Sequence, residues 1–311
     1  MQTVTLARNA MATRFELVLI GGDAARLRAA GEEALAEVDR LEARLSLYRP
    51  SSEIARVNAQ AARQPVRGSP QVFRLLEQAR QLHRETGGAF DIAIAPLVRC
   101  WGFMSGSGRV PDPILLDQAR HQAGMEHVTF DSESVSVRFD REGVMLDLGA
   151  IGKGYAIDRA AKILREAGVT RALLHGGTST IYGIGAPPDE EGWKVAIAGS
   201  QDESRTIATV LLRDSALSVS AVWARSFEAD GKKFGHVIDP RTGQPVNNAV
   251  LAAVALPSAT ETDALSTALL VLGLEGHDAI AKLRPQMRTL VIPAIDADSR
   301  VEARGMAVQF P

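Results

Sequence analysis

The sequence predicts an α+β fold of mixed sheets and helices, and three observations predict it. Alanine- and leucine-rich stretches carry apolar residues at helical spacing near the start, in the middle and near the end of the chain. Short runs rich in β-branched residues crowd the second half. The two kinds of element do not alternate regularly, as a doubly wound parallel sheet would require. With 311 residues, 46% hydrophobic and 23% charged, the chain can bury a substantial core. A single domain over residues 1–311 is expected, in two lobes with a connector near 100–125.

The first strand is expected at "FELVLIGG" (15–22), an apolar run that Arg14 precedes and Glu16 interrupts and that reads better as a strand than as a leader. Asp23 then caps an amphipathic helix reaching about Leu47. Ser69 and Pro70 open a second helix, which Gly87 and Gly88 close. After the glycine-, serine- and proline-rich "CWGFMSGSGRVPDP", helical spacing resumes in "ILLDQARHQAG". The runs "VTFDSESVSVRFD" and "VMLDLG" read as strands, the second passing through a glycine turn into the helix "KGYAIDRAAKILREAG". Strand signals dominate "RALLHGG", "TSTIYGIG", "WKVAIAG", "RTIATVLL", "ALSVS" and "KKFGHVID". The strand-like "VLAAVALPSA" leads into a last helix, "TETDALSTALLVLG".

Several function classes are excluded early. Thirty-five Lys and Arg against 37 Asp and Glu leave a net charge of −2, which gives a broad nucleic-acid surface no electrostatic support. Cys100 is the only cysteine, so neither an intramolecular disulfide nor a paired-cysteine zinc site can form. No run approaches the ~18 apolar residues of a membrane helix, and no cysteine near the start offers lipid attachment. A cytoplasmic location is expected, or a periplasmic one if a leader has been removed.

Three places carry candidate chemistry. In "DLGAIGKGYAIDRAAKIL", Gly149, Ala150, Gly152 and Gly154 lead from a strand ending at Asp147 and Leu148 into a helix with Lys153 in its first turn. Free backbone N–H groups and an ammonium there suit a phosphate. The spacing is neither that of a P-loop nor GxGxxG, and a tight turn with a solvated lysine explains the same residues. In the last helix Asp263 and Thr267 share a face, offering hard oxygen donors that suit Mg2+ or Ca2+ and not zinc. Thr262 or Asp263 serving as a helix cap is the plainer alternative. In "FGHVIDPRTGQPV", Asp239, Pro240 and Gly243 suit a type I turn, whereas His236, flanked by apolar residues, needs a partner or titrates. His83, His121, His127 and His277 are expected at the surface.

Taken together, the chain resembles the ApbE-type flavin transferases. The resemblance runs through "MATRFEL", "LSLYRPSSEIARVN", "TGGAFDIAIAPLVRCWGF", "DLGAIGKGYAIDRAAKIL", "FEADGKKFGHVIDPRTGQPV" and "SATETDALSTALLVLG", in order and over nearly the whole chain. It implies an α+β fold with FAD, as substrate, in a cleft between lobes and Mg2+ at the FAD diphosphate. The implied metal ligands are Asp263, Thr267 and backbone carbonyls at Ala150 and Ser266. The implied cofactor contacts are Met11, Tyr48, Glu53, Phe90, Asp91, Lys153, Gly176, Gly177 and His236. His236 and Asp239 would lie beside the scissile phosphate.

The implied reaction passes FMN from FAD to a threonine or serine hydroxyl of a partner protein and releases AMP. His236 is the expected base, with Asp239 orienting it or supporting the turn. Three positions depart from the family pattern: Thr178 stands where an aspartate is common, Val219-Ser220-Ala221 where "TSG" is common, and Ala93 where threonine is common. Two other readings use the same residues: an FAD pyrophosphatase giving FMN and AMP, and a flavin-binding protein without activity.

Overall fold

The computed structural model describes residues 1–104, 106, 108–199, 206–223, 225–294 and 301–308. An eight-stranded antiparallel sheet forms its frame. The strands are β1 (Gln2–Ala10), β2 (Thr13–Gly21), β3 (Ala172–Gly176), β4 (Thr180–Ile184), β5 (Ser215–Ala221), β6 (Ala249–Leu256), β7 (Arg288–Pro293) and β8 (Glu302–Arg304). They lie side by side in that order, so neighbours in the sheet are neighbours along the chain, and every helix is inserted between two of them.

Between β2 and β3 come α1 (Ala24–Leu45), α2 (Glu53–Gln60), α3 (Pro70–Glu85), α4 (Ala95–Cys100), α5 (Pro113–Gln122) and α6 (Gly152–Glu166). Between β4 and β5 stands a hairpin, Trp193–Ala198 with Thr206–Leu212, to which Ala307–Val308 adds a third strand. A two-stranded ribbon, Ser226–Ala229 with Lys232–Gly235, follows β5, and α7 (Ala259–Ala281) joins β6 to β7.

Burial explains the sequence pattern of β6, "AVLAAVAL", which is apolar at every position. Ala252, Val254 and Leu256 face the helices, in the core that includes Leu35, Ile157 and Leu269. Leu251, Ala253 and Ala255 face the small sheet, packing with Trp193, Val195 and Val210. A strand covered on both sides has no polar alternation. The segment near 100–125 builds a third apolar cluster, in which Leu97, Trp101, Phe103, Ala119 and Ala123 meet Ile238. There the Trp101 indole donates to the Gly243 carbonyl at 2.9 Å, anchoring the turn that follows His236.

The structure corrects several sequence expectations. The first strand is β1, not the run at 15–22, and its buried Val4 and Leu6 alternate with exposed threonines. Residues 144–149 are not a strand. The Asn58 side chain brackets Leu146, donating to its carbonyl at 3.0 Å and accepting its N–H at 2.8 Å, while the Asp147 N–H goes to Ile92. A side-chain amide thus does for this backbone what a neighbouring strand would do. Of the histidines expected at the surface only His121 is well exposed; His83 and His127 are mostly covered and His277 is 2% exposed.

The 23-residue α7 is long and apolar enough by composition to cross a membrane, contrary to the sequence reading. It is largely buried against β5, β6 and β7 and carries Asp263 inside the fold, as the central helix of a globular core does. Gly273, at φ 61° and ψ −148°, kinks it where the sequence reading ends the helix.

The start of α6 presses closely on the start of α7. A Cβ on Gly154 would lie 2.1 Å from the Ala259 carbonyl oxygen and 2.8 Å from the Asp263 Cβ. Gly154→Ala is therefore expected to destabilise the fold by about 2 kcal/mol, the usual scale of overpacking, as a lowered midpoint in urea. His277 gives a second expectation. Its Nε2 meets the Thr289 hydroxyl at 2.8 Å and its Nδ1 has no partner. Burial, and then the charge of Arg304, hold its pKa below the ordinary value despite Asp278 and Glu302. The folded state keeps it neutral while the unfolded chain takes up a proton near pH ~6.5, so stability falls as pH drops below that value. Urea midpoints measured against pH should show a shallower acid slope in His277→Gln.

Candidate functional site

Two helix starts face each other at the site. The α7 N-terminus is capped by Ser258, whose hydroxyl accepts from the Glu261 N–H at 3.3 Å. Asp158, from α6, accepts from the Ala259 and Thr260 N–H groups at 2.8 and 2.9 Å. Neither Thr262 nor Asp263 is the cap, so Asp263 is free for other work one turn into the helix.

The Asp263 carboxylate is 4% exposed and accepts the Gly154 N–H at 3.0 Å through Oδ2. Its Oδ1 lies 3.8 Å from the Lys153 ammonium, which itself donates to the Gly149 carbonyl at 3.0 Å. Because the Gly154 N–H turns to Asp263, no backbone N–H among the described residues closes on the Ala150 carbonyl. One carboxylate, one uncommitted carbonyl and the hydroxyl of Thr267 are hard oxygen donors, which suit Mg2+ and not a soft metal.

Beneath these groups runs a ladder of hydroxyls that the sequence reading missed. Ser220 lies 2.9 Å from the Ser266 hydroxyl and 3.2 Å from that of Thr267. Ser218 reaches Thr262 at 2.8 Å and Thr180 at 3.2 Å. Ser266 and Thr267 both donate to the Asp263 carbonyl, at 3.1 and 3.2 Å. Strand period explains the set: Ser218 and Ser220 are two apart on β5 and point to the same face, toward α7. The departure at 219–221 keeps its middle hydroxyl, and that hydroxyl orders Thr267.

His236 stands just past the ribbon. Both its backbone N–H and its Nδ1 meet the Arg225 carbonyl, at 3.0 and 3.2 Å. A carbonyl only accepts, so Nδ1 carries the proton and Nε2 keeps a lone pair. Burial, joined by the charges of Arg225 and Lys153, holds the imidazole below its ordinary pKa against the pull of that carbonyl. Near pH 7 the ring is neutral and can accept a proton.

Asp239 does not touch the imidazole. Its carboxylate takes the Arg241 N–H and Nε at 2.9 Å and the other guanidinium nitrogen at 2.7 Å, while its carbonyl accepts from Gly243, at φ 72°. Of the two roles read for it, the geometry provides the turn.

Asp147 is a further missed residue. It is half-buried and accepts the Gly149 N–H at 2.8 Å. Burial raises its pKa even though that N–H, Lys153 and Arg225 all favour the anion. Tyr48, 63% exposed, feels the charges of both Asp147 and Arg225, and burial of its hydroxyl is the main cause of its raised pKa. Lys153 therefore links the two halves: its charge bears on Asp147 and His236, and its ammonium lies beside Asp263.

The remaining expected residues divide. Met11 forms the tip of the β1–β2 hairpin at φ 51°, with Ala12 at 58°, a left-handed pair that normally calls for asparagine and glycine. Strain of this kind concentrates where a side chain must be aimed. Gly177, at φ 70°, sits against the same hairpin, where a Cβ would fall 2.2 Å from the Thr13 hydroxyl oxygen, and Gly176 pairs with Phe15 on β2. Thr178 beside them is exposed.

Glu53, Phe90 and Asp91 are instead tied into the scaffold. Glu53 accepts from Arg44 at 2.7 Å and from the Ser69 N–H at 2.8 Å; burial opposes its ionisation, but these bonds hold its pKa low. Phe90 is 1% exposed. Asp91 accepts the N–H groups of Ala93 and Met125 at 2.6 and 3.0 Å and pairs with His83 at 3.1 Å. Glu126 completes a trio with these two, beside a polar cavity of about 430 Å³ reaching Arg241 on the turn.

Comparison with known proteins identifies the family and the fold. A sequence profile of the ApbE family matches residues 11–291. An FAD:protein FMN transferase of Vibrio cholerae is 32% identical over 271 residues, covering 84% of this chain and 79% of its own. The crystal structure of the ApbE protein of Thermotoga maritima superposes with a TM-score of 0.88 at 25% identity, over 97% of this chain and 96% of that one. The flavin transferase ApbE of Vibrio cholerae gives 0.84 at 27% identity, over 97% of each chain. With the family profile spanning residues 11–291 and the fold shared with solved ApbE proteins, the chain belongs to the ApbE family.

Proposed function

We propose that this protein is an FAD:protein FMN transferase that moves FMN from FAD to a threonine or serine hydroxyl of an acceptor protein and releases AMP. The observation that carries the mechanism is the His236 imidazole, held through Nδ1 by the Arg225 carbonyl and within the field of Lys153, whose ammonium lies 3.8 Å from the Asp263 carboxylate. Asp263, Thr267 and the carbonyls of Ala150 and Ser266 would hold Mg2+, which when bound supplies neutralisation of the FAD diphosphate. Lys153 adds a fixed positive charge beside the same phosphates. His236 Nε2 takes the proton of the attacking hydroxyl as oxygen bonds to the FMN-side phosphorus, and the bond to the AMP oxygen breaks. Tyr48, Met11 and Asp147 line the approach and orient the flavin nucleotide.

Asp239 acts through the turn. Its carboxylate fixes Arg241 and its carbonyl fixes Gly243, and that holds the strand end from which His236 projects. Incubation with FAD, Mg2+ and a threonine-bearing acceptor should give in-gel flavin fluorescence on the acceptor together with AMP. AMP and free FMN without labelling would replace transfer by hydrolysis, and bound FAD with neither product would leave only binding.

Two variants separate the roles. His236→Ala should lower the transfer rate by about 10²- to 10⁴-fold, the range of a lost general base, with FAD binding retained. Full transfer by that variant would remove the assignment. Asp263→Asn should raise the Mg2+ concentration giving half-maximal rate while leaving the kcat–pH curve in place. In the unmodified protein the acid limb of kcat should have its midpoint below the ordinary histidine value, because burial and two nearby cations depress His236.

A further inference from the structure

His236 is not held by its own strand alone. The ribbon before it stacks Phe227 on Phe234, with centroids 5.2 Å apart and planes at 21°. Trp101 lies 5.5 Å from Phe234, and Phe103 lies 5.7 Å from Phe227. The row ends on the imidazole, since the Phe103 ring meets His236 edge-on at 6.4 Å and 73°. Phe103 is itself 8% exposed.

The backbone that brings Phe103 there is closed at its base. The Arg109 N–H donates to the Trp101 carbonyl at 2.9 Å, and the Phe103 N–H to Val98 at 3.1 Å. Gly108, at φ 58°, lies flush on the Phe227 ring, where a Cβ would stand 2.2 Å from Cδ1. Any side chain at 108 would push the ring row away and strain the backbone as well. These contacts thus bind Trp101, Phe103 and Gly108 to the ribbon, with Phe103 between Phe227 and His236.

We propose that Phe103 is a positioning residue for His236, covering one side of the imidazole so that the Nδ1–H stays on the Arg225 carbonyl and Nε2 faces the reacting hydroxyl. The proposal rests on the reading of His236 as the base. The charged groups whose fields reach the ring are Arg225, on the segment leading into the ribbon, and Lys153, at the start of α6. Both disfavour protonation, and so does the burial that Phe103 contributes. Without the phenyl ring, water reaches the imidazole and its torsional freedom grows. Misplacement of a catalytic group by about 1 Å costs on the order of a hundredfold.

The test compares Phe103→Ala, Phe103→Tyr and Gly108→Val in the full-length protein, with FAD, Mg2+ and acceptor saturating. Phe103→Ala should lower kcat by about tenfold to a hundredfold, leave the KM for FAD unchanged, and move both the acid limb of kcat and the His236 titration seen by NMR upward toward the ordinary histidine value. Phe103→Tyr, which keeps the ring, should restore most of the rate and the depressed titration. Gly108→Val should shift the titration in the same direction as Phe103→Ala. An unshifted His236 titration in Phe103→Ala overturns the proposal even if the rate falls, because a merely structural ring would lower activity without moving that titration. Should Phe103→Ala fail to fold, an unshifted titration in Gly108→Val overturns it equally. The NMR titration needs no turnover, so failure of this inference stays distinct from failure of His236 as the base, which full activity of His236→Ala would reveal.

Discussion

The bond from the Gly154 N–H to the Asp263 carboxylate is the contact on which the site depends. It exists only because residue 154 has no side chain, which lets the first turn of α6 press on the first turn of α7. Three results follow from that one approach. Asp263 is fixed within a buried wall, the Ala150 carbonyl is released from the helix ladder, and Lys153 is carried to within 3.8 Å of Asp263. Asp158 and Ser258 make the approach possible by satisfying the α7 N-terminus independently. A carboxylate that also had to cap its own helix would be a poorer ligand.

The site is built with opposed demands on its charges. Lys153 and Arg225 place positive charge around His236, and with burial they hold its imidazole below the ordinary pKa. Asp147 nearby is pushed toward its neutral form by burial. His236 needs no carboxylate partner to select its tautomer, since the Arg225 carbonyl does so; that frees Asp239 to lock the turn through Arg241.

How much of this the sequence shows depends on what the residues depend on. Periodicity exposes α1, α3, α6 and most of α7, because their apolar faces repeat within one segment. Gly273 ends the regular part of α7, as its lack of a side chain suggests. Glycine spacing marks the turn at 149–154, and the i, i+4 relation marks Asp263 and Thr267. What stays hidden arises from distant partners. Residues 144–149 look like a strand, yet their hydrogen bonds go to the Asn58 side chain, which no local pattern announces. Asp91 and Glu53 sit in family-like motifs, but their bonds are spent on neighbouring backbone and on Arg44. Ser218 and Ser220 are inconspicuous in "ALSVS" until β5 is seen to face α7, and Arg225 contributes through a backbone carbonyl, which has no residue-type signature.

The order of the strands also governs how the chain reaches this state. Most neighbouring strands of the main sheet are joined by modest connections, but β2 and β3 are separated by the whole run from residue 22 to 171. Gly154 and Asp263, which must meet, stand 109 residues apart. Non-local closures of this kind repay their entropy only once the intervening parts are ordered. The two hairpin-like ends of the sheet can therefore condense early, whereas the contact between Gly154 and Asp263 belongs to the last step. During refolding, recovery of far-UV ellipticity should run ahead of protection of the Gly154 amide from hydrogen exchange.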